Sequence, residues 1–473
     1  MNHSISSPAL RIYLAAVILF AGIVIGRSQV DCSTNLETYR VNRHMPGLMA
    51  MCVKSGRIIA QGAAGFRRQG AANKLLLTDK VNLASNTKWM TATIAGRLVD
   101  RGLIGWNTRV CDLFTNWQTF NPAFANATLD QFLAHRTGVQ SDTTFQNNHW
   151  NQLTVQTGTL PQLRRWVSTA VLSDTPEVAP GTFLYANQGY TVAASMLEMA
   201  SGKDWETLIQ DEVFTPLRMT ATSVGIIYNN SVPPQNPVGH DLAVGATVPV
   251  PRAAPSAGFN FYYHASNGAG ADTACTLQDW AKFLHMQMTS DLGDYITTNT
   301  GARLQEPFPG PSFVGADGYA RGAYVYTNLS WAKPGNALYH GGDGWGEDSI
   351  AYMSASRDFI VVCYVNCHSA DNTALLALSD AAALLINTYA SAAASGPWLE
   401  VPAALPLRRQ TNSYAFDYQT LIGVRYRVET STNLQSWTTN ANGTNGQIAT
   451  SLQSSFTDTN LVARKFYRAH VLP

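Results

Sequence analysis

Charge is what this sequence has least of. Only 13% of its 473 residues are charged, and 32 lysines and arginines nearly balance 31 aspartates and glutamates. Basic residues gather no further than short pairs such as Arg67-Arg68 and Arg408-Arg409. A nucleic-acid binder needs a basic stripe to replace phosphate counterions, so that class is excluded. Cysteine is scarce too: Cys32, Cys52, Cys111, Cys275, Cys363 and Cys367 are scattered and suggest no disulfide framework. No His-Glu-x-x-His or paired-cysteine metal motif occurs. Cys363 and Cys367 share one apolar run that reads as a buried strand; at ~3.3 Å per residue they lie roughly 13 Å apart, too far to bridge each other. The spacing before Cys367-His368 is one residue too long for haem attachment. No cofactor or metal is implied, and a small-molecule or peptide substrate is expected.

Long apolar runs are absent with one exception, Ile12 to Gly26, which follows Arg11. The run suits the apolar core of an export signal and is short for a membrane span. Gly26 and Ser28 are small residues at plausible cleavage positions. Residues 1–28 are therefore expected to be a signal peptide and the protein to be exported (periplasmic, cell-surface or secreted); a retained anchor is the alternative. Asp31 before Cys32 argues against a lipid attachment site.

After the signal, Pro46-Gly-Leu-Met-Ala-Met-Cys-Val53 and Arg57-Ile-Ile-Ala60 flank Lys54-Ser55-Gly56, a hairpin pattern. A strong helix is expected from about Ser85 to Asp100, with Met90, Ile94, Leu98 and Val99 on its apolar face and Gly102 just past its end. Residues 128–134, 163–171 and 189–200 have helical spacing, and Thr276-Leu-Gln-Asp279 resembles a capping box. Pro, Gly and Asn enrich 225–270, which reads as irregular. Short strands follow at 324–326, 349–352 and 359–366, then one amphipathic helix over 373–389. These elements make a domain spanning 38–391. Residues 392–408 read as a linker and 409–473 as a small all-β module, from the alternation of Tyr414, Phe416 and Tyr418 and of Val424, Tyr426 and Val428.

Chemistry enters at Ser85-Asn-Thr-Lys88. A serine hydroxyl is a poor nucleophile until a base takes its proton. A lysine three residues on along a helix faces that hydroxyl, and the helix N-terminus adds positive potential there. The tetrapeptide is weak alone, since a serine cap beside an exposed lysine looks the same. Ser330-Trp-Ala-Lys333 also matches, but Pro334-Gly335 prevents a helix there. Tyr185-Ala-Asn187 supplies a phenol that can shuttle a proton; its pKa, ordinarily about 10, would need Lys88 nearby to favour the phenolate. Tyr-x-Asn also begins at Tyr228, Tyr326 and Tyr364, so order along the chain matters. His340-Gly341-Gly342, just ahead of a strand pattern, is the one His-x-Gly, and its glycines allow backbone to lie close against a ligand.

The ordered set Ser85-x-x-Lys88, Tyr185-Ala-Asn187 and His340-Gly-Gly342 resembles the serine β-lactamase and penicillin-binding protein superfamily. The closer likeness is to class C β-lactamases, DD-peptidases and related esterases. Leu133-Ala-His-Arg-Thr-Gly138, Pro180 to Tyr190 and Thr276-Leu-Gln-Asp279 resemble flanking segments of that group, so the likeness covers roughly 38–390. It implies an α/β (α+β) fold: a mainly antiparallel sheet flanked by helices, and a helical subdomain holding Tyr185. It implies Ser85 as nucleophile, Lys88 and Tyr185 as base and acid, and Asn187 positioning Lys88 and the substrate. His340 would hydrogen-bond Tyr185 or a substrate carboxylate, Gly341 and Gly342 would border the substrate, and the backbone N–H groups of Ser85 and Asp343 would form the oxyanion hole. His135 and Asp279 would be structural.

The departures narrow the activity. Gly341 stands where β-lactamases have threonine, losing a hydroxyl that binds a carboxylate. The Asp343 side chain must point away from an oxyanion. No glutamate is placed as a separate deacylation base. A carboxylic ester or small amide is thus the expected substrate of a serine hydrolase; β-lactam or D-alanyl peptide hydrolysis and a non-catalytic sensor are the rivals. The terminal module, through 426–437 and Phe466-Tyr-Arg468, resembles a β-sandwich-like tail on exported bacterial proteins.

Overall fold

The computed structural model describes residues 29–399 except 115–119, 228–229, 289–294, 313–315, 333 and 398, together with separate strands between 408 and 471. The apolar run Ile12–Gly26, its expected cleavage positions and residues 400–407 of the expected linker lie outside the described residues. No helix among the described residues is long and apolar enough to cross a membrane. Two compact units result, one ending at Glu400 and one holding the strands beyond Val401.

The first unit is built on one eight-stranded sheet. Its strands are β1 (Val30–Asp31), β2 (Gly47–Lys54), β3 (Arg57–Gly65), β4 (Gly318–Tyr319), β5 (Tyr324–Tyr326), β6 (Ala337–Asp343), β7 (Asp348–Met353) and β8 (Phe359–Val365). Their order across the sheet is β1-β3-β2-β8-β7-β6-β5-β4. All neighbours run antiparallel except β1 on β3. Ser55 and Gly56 both take positive φ (46° and 75°), the turn a tight hairpin requires. Strand β8 is buried along its length, as its unbroken apolar run Phe359 to Val365 demands.

The helices that matter for the site are α1 (Ser33–Asn42), α2 (Thr87–Asp100), α3 (Asp142–Leu153), α4 (Leu160–Ser173), α5 (Asn187–Ser201), α6 (Ala257–Ala271), α7 (Leu277–Met288) and α8 (Thr373–Tyr389). Helices α1 and α8 close a core with the sheet in which Leu36, Leu378 and Leu385 meet Leu48, Cys52, Val361 and Cys363. Helix α7 also packs on β2 and β8, while α2, α4, α5 and α6 pack together as the helical layer. The expected antiparallel sheet, flanking helices and helical subdomain are all present.

One expectation fails. Residues 257–271, inside the stretch read as irregular, form α6. Glycine weakens a helix in isolation, but Ser256 caps this one by accepting the Phe259 N–H at 3.1 Å, and its small C-terminal half from Ala265 to Ala271 is buried. Tertiary packing against α2, α4 and α5 overrides propensity. Within 392–408, Ile58 N–H donates to Pro397 O and Leu399 N–H to Gly56 O, both at 2.9 Å, so this part of the expected linker runs along the β2–β3 turn.

In the second unit, Arg408–Gln410, Ser413–Gln419 and Gln453–Asp458 form one antiparallel sheet. Arg425–Ser431 pairs with Thr438–Thr439, Gln447–Ile448 and Phe466–Val471 in another. The described part is all β, as expected.

Candidate active site

Ser85 occupies a single 3-10 turn, Ala84–Asn86, that leads directly into α2. The helix proper starts two residues later than expected because Ala84 takes a left-handed φ of 45°. Such a conformation costs a non-glycine residue roughly 1–3 kcal/mol and is held here by Asn82 Oδ1, which accepts the Ala84 N–H at 2.8 Å. From Val81 to Gly96 every residue is buried except Ser85, which is half-buried. Ser85 is therefore the residue of this segment that solvent reaches. The competing Ser330 lies in a three-residue 3-10 turn, Ser330–Ala332, and Lys333 lies outside the described residues.

The Lys88 side chain is fully buried. Its three N–H donors meet three acceptors: Ser85 Oγ at 3.1 Å, Gly270 O at 2.9 Å and Asn187 Oδ1. Desolvation pushes the amine down from 10.5 to about 7, while the Asp142 carboxylate works in the opposite direction. A Cβ at Gly270 would lie 2.9 Å from Asn187 Oδ1 and 3.4 Å from Lys88 Nζ, so glycine is what lets the α6 carbonyl reach the amine.

Tyr185 lies over the same pair. Lys88 Nζ is 4.6 Å from its ring centre, and its hydroxyl interacts with Ser85. Burial pushes the phenol well above its ordinary value, more than the Ser85 interaction pulls it down. The resting group is thus a neutral phenol, and the phenolate considered from sequence is not favoured. The His135 ring packs against Tyr185, tilted by 34° with ring centres 4.3 Å apart, and its Nδ1 accepts the Ala186 N–H at 3.2 Å. Burial, with Lys88 adding to it, holds His135 well below the usual imidazole range.

Asn187 opens α5. Its backbone N–H donates to Asp142 Oδ1 at 2.9 Å and its Nδ2 to Asp142 Oδ2 at 2.7 Å. Sequence reading missed Asp142. It stands four residues after the Leu133–Gly138 segment, with nothing in the chain to pair it with a residue 45 positions away.

His340 is buried on β6. Its Nδ1 faces Gly341 O at 2.5 Å and its Nε2 faces the Tyr319 hydroxyl at 3.2 Å. Burial first, and Lys88 second, push it down to about 3, so the ring is neutral. Nδ1 then carries the proton and Nε2 accepts from Tyr319. Of the two partners expected for His340, Tyr185 or a substrate carboxylate, Tyr185 is not the one bonded: the side-chain partner is Tyr319, and the Tyr185 and His340 rings are 6.1 Å apart between centres. Tyr319 had no role assigned from the sequence.

Gly342 explains how β6 reaches the serine. A Cβ there would lie 2.2 Å from Leu83 O and 2.5 Å from Ser349 Oγ. Ser349 Oγ instead donates to Leu83 O at 3.0 Å and accepts from Asn86 Nδ2 at 3.0 Å, clamping β7 to the Ser85 turn. A Cβ at Gly341 would lie 3.0 Å from the Tyr339 hydroxyl, 3.7 Å from its Cζ and 4.0 Å from Ser349 O, a milder crowding than at Gly342. Asp343 pairs in register with Asp348, and its exposed carboxylate turns to His368 Nδ1 at 3.3 Å. Asp343, Asp348 and His368 offer metal-type ligand atoms within 4.8 Å of one another. His368 is pushed up to about 8, mainly by its hydrogen bond to Asp348, which makes the trio an ion-pair cluster. Asp279 accepts from Ala221 N–H at 2.7 Å, Thr222 Oγ1 at 3.0 Å and Lys282 Nζ at 2.8 Å, all away from Ser85's partners.

A family model described as Beta-lactamase matches residues 33–384, which include every residue placed around Ser85. Protein flp of Staphylococcus aureus (strain MRSA252) is 26% identical over 217 residues, 46% of this chain and 42% of that protein. Penicillin-binding protein 4 of Amycolatopsis lactamdurans is 26% identical over 185 residues, 38% of this chain and 45% of that protein. The chain thus spans less than half the length of these curated relatives. A D-amino acid amidase from Ochrobactrum anthropi SV3 superimposes with a TM-score of 0.59 at 16% identity, over 76% of this chain and 98% of that one. An octameric penicillin-binding protein homologue from Pyrococcus abyssi gives 0.59 at 18%, over 81% and 87%. At such identities these two likenesses speak for the fold. With the family match extending over most of the chain, the protein belongs to the beta-lactamase family.

Proposed function

We propose that the protein is a serine hydrolase of the Ser-x-x-Lys type that forms an acyl-enzyme on Ser85. One observation carries this reading. The solvent-reached hydroxyl of the buried Ser85 turn lies 3.1 Å from an amine that desolvation has pushed down to about 7. A lysine near that value is a free amine in a useful fraction at neutral pH. Lys88 takes the Ser85 proton as the hydroxyl attacks the carbonyl carbon. The neutral Tyr185 phenol, touching the same hydroxyl, passes a proton to the leaving group. The backbone N–H groups of Ser85 and Asp343 receive the oxyanion. Water then cleaves the ester with the roles reversed.

For the substrate, we favour a carboxylic ester or small amide, bordered by Gly341 and Gly342. The neutral His340, already occupied by Tyr319 and Gly341 O, offers no positive charge to a substrate carboxylate. Penicillin-type and D-alanyl substrates carry such a carboxylate. Short-chain nitrophenyl esters should be hydrolysed, and Ser85→Ala should reduce the rate at least about 10³-fold and remove labelling by a fluorophosphonate. Equal rates for wild type and Ser85→Ala would sink the reading. A chromogenic cephalosporin turned over faster than the esters would favour the β-lactam alternative, and a stalled Ser85 adduct in an intact mass spectrum would favour the sensor.

The export signal at 1–28, the catalytic domain at 38–391 and the appended module at 409–473 belong to the same proposal. Protein recovered outside the cytoplasm with an N-terminus just after Gly26 or Ser28 supports it; recovery with Met1 intact counts against it.

A further inference from the structure

We propose that Asp142 is a positioning residue that fixes the Asn187 amide and sets the charge balance of Lys88. The assignment rests on the reading of Lys88 as the base.

The argument begins with donors and acceptors. An asparagine amide can turn over, exchanging its oxygen and nitrogen. A carboxylate only accepts and an ammonium only donates. Asp142 accepts both the backbone N–H and the Nδ2–H of Asn187, at 2.9 and 2.7 Å. With Nδ2 committed there, Oδ1 faces Lys88 Nζ. The reversed amide would set an N–H against the Lys88 ammonium and an oxygen against a carboxylate, two repulsive contacts at once. Asp142 is itself held at the start of α3, because Glu177 accepts from the N–H of the preceding Ser141 at 2.8 Å and from its hydroxyl at 3.0 Å.

The second strand is electrostatic. The groups around Lys88 come from several elements: Tyr185 and Tyr190 on and before α5, His135 from the loop ahead of α3, His340 from β6 and Asp142 from α3. Both imidazoles are held neutral and both phenols are pushed up by burial. The Asp142 carboxylate is the group that favours the ammonium form against desolvation; burial raises the Asp142 carboxyl above its ordinary value, and Lys88 and the two Asn187 hydrogen bonds offset that rise in part. Tyr263, which faces Asp142 from α6, is likewise pushed up.

The test compares Asp142→Asn, Asp142→Glu and Lys88→Met in the full chain, using pH profiles of kcat/KM on a neutral nitrophenyl ester. Activity falls on the acid side as Lys88 gains its proton. Removing the carboxylate disfavours the ammonium, so Asp142→Asn should move the acid limb to lower pH by about one unit or more. Its kcat should fall about tenfold or more while KM changes less than about threefold, because the amide is no longer held. Asp142→Glu keeps the charge, so its limb should stay near that of wild type. A limb unmoved in Asp142→Asn overturns the proposal; so does a limb displaced in Asp142→Glu, which decides the matter should the asparagine variant not fold. An acid limb that persists in Lys88→Met overturns the base reading and this assignment with it. A limb lost in Lys88→Met but unmoved in Asp142→Asn overturns this assignment alone.

Discussion

The helices and the strands around Ser85, its helical wall and its strand wall, treat a buried basic side chain in different ways. On the helical wall, Lys88 has a carboxylate within range and settles at about 7. On the strand wall, His340 has Tyr319 and a carbonyl but no carboxylate partner, and burial takes it to about 3. A third buried base sharpens the contrast. Burial works against protonation of His264 as well, yet Asp272 at 2.5 Å and Glu206 at 2.8 Å hold it up at about 9. Lys88 and His340 fall by similar amounts, from 10.5 and from 6.5, so their different end points follow the ordinary values of an amine and an imidazole; it is His264, raised where His340 is lowered, that shows what anions add to burial. On the proposed reading the helical wall exchanges a proton while the strand wall stays neutral.

The largest effect that tests this contrast is on the helical wall. Lys88→Met removes the base and should lower kcat on a nitrophenyl ester by about 10²–10⁴-fold, with Ser85 still present for slow labelling. Without mutation, kcat/KM should rise with pH through about 7, since only the free amine accepts the serine proton and Lys88 titrates near there. A profile flat from pH 5 to 8 would break the assignment.

On the strand wall, His340→Lys places a cation beside the substrate. The ratio of kcat/KM for a carboxylate-bearing ester to that for a neutral ester should rise about tenfold, the worth of one charge-assisted hydrogen bond. The added cation also disfavours the Lys88 ammonium, so the acid limb should move to lower pH. An unchanged ratio would mean that the neutral histidine does not set the preference. The smallest expected effect is structural. Gly342→Ala puts a methyl 2.2 Å from Leu83 O, a backbone atom that cannot swing aside. Overpacking of this kind costs about 1–3 kcal/mol, read as a lowered Tm with β6 pushed from the Ser85 turn.

Much of this was legible along the chain, for identifiable reasons. Ser85 and Lys88 are three residues apart, and that spacing on any helix makes them neighbours. The hairpin turn at Ser55-Gly56, the helix stop at Gly102 and the capping of α7, where Thr276 Oγ1 accepts the Asp279 N–H at 3.2 Å, are local events with local signals. Helix α6 was not legible, because its Gly and Asn content is unfavourable until α2, α4 and α5 pack on it. Nor were Asp142, Gly270 and Tyr319, whose meaning lies in what they touch. Gly270 reads as a flexible residue until its carbonyl is found 2.9 Å from Lys88 Nζ.

The sequence by itself determined the family, the antiparallel sheet with its helical layer, and the pairing of Ser85 with Lys88, because each rests on short-range spacing or on motifs in a fixed order. Only the tertiary structure decided the protonation states. Desolvation sets them first, for Lys88, Tyr185 and His340 alike, and the charges that adjust it, Asp142 on Lys88 and on Tyr185 and Lys88 on His340, belong to residues distant in the chain.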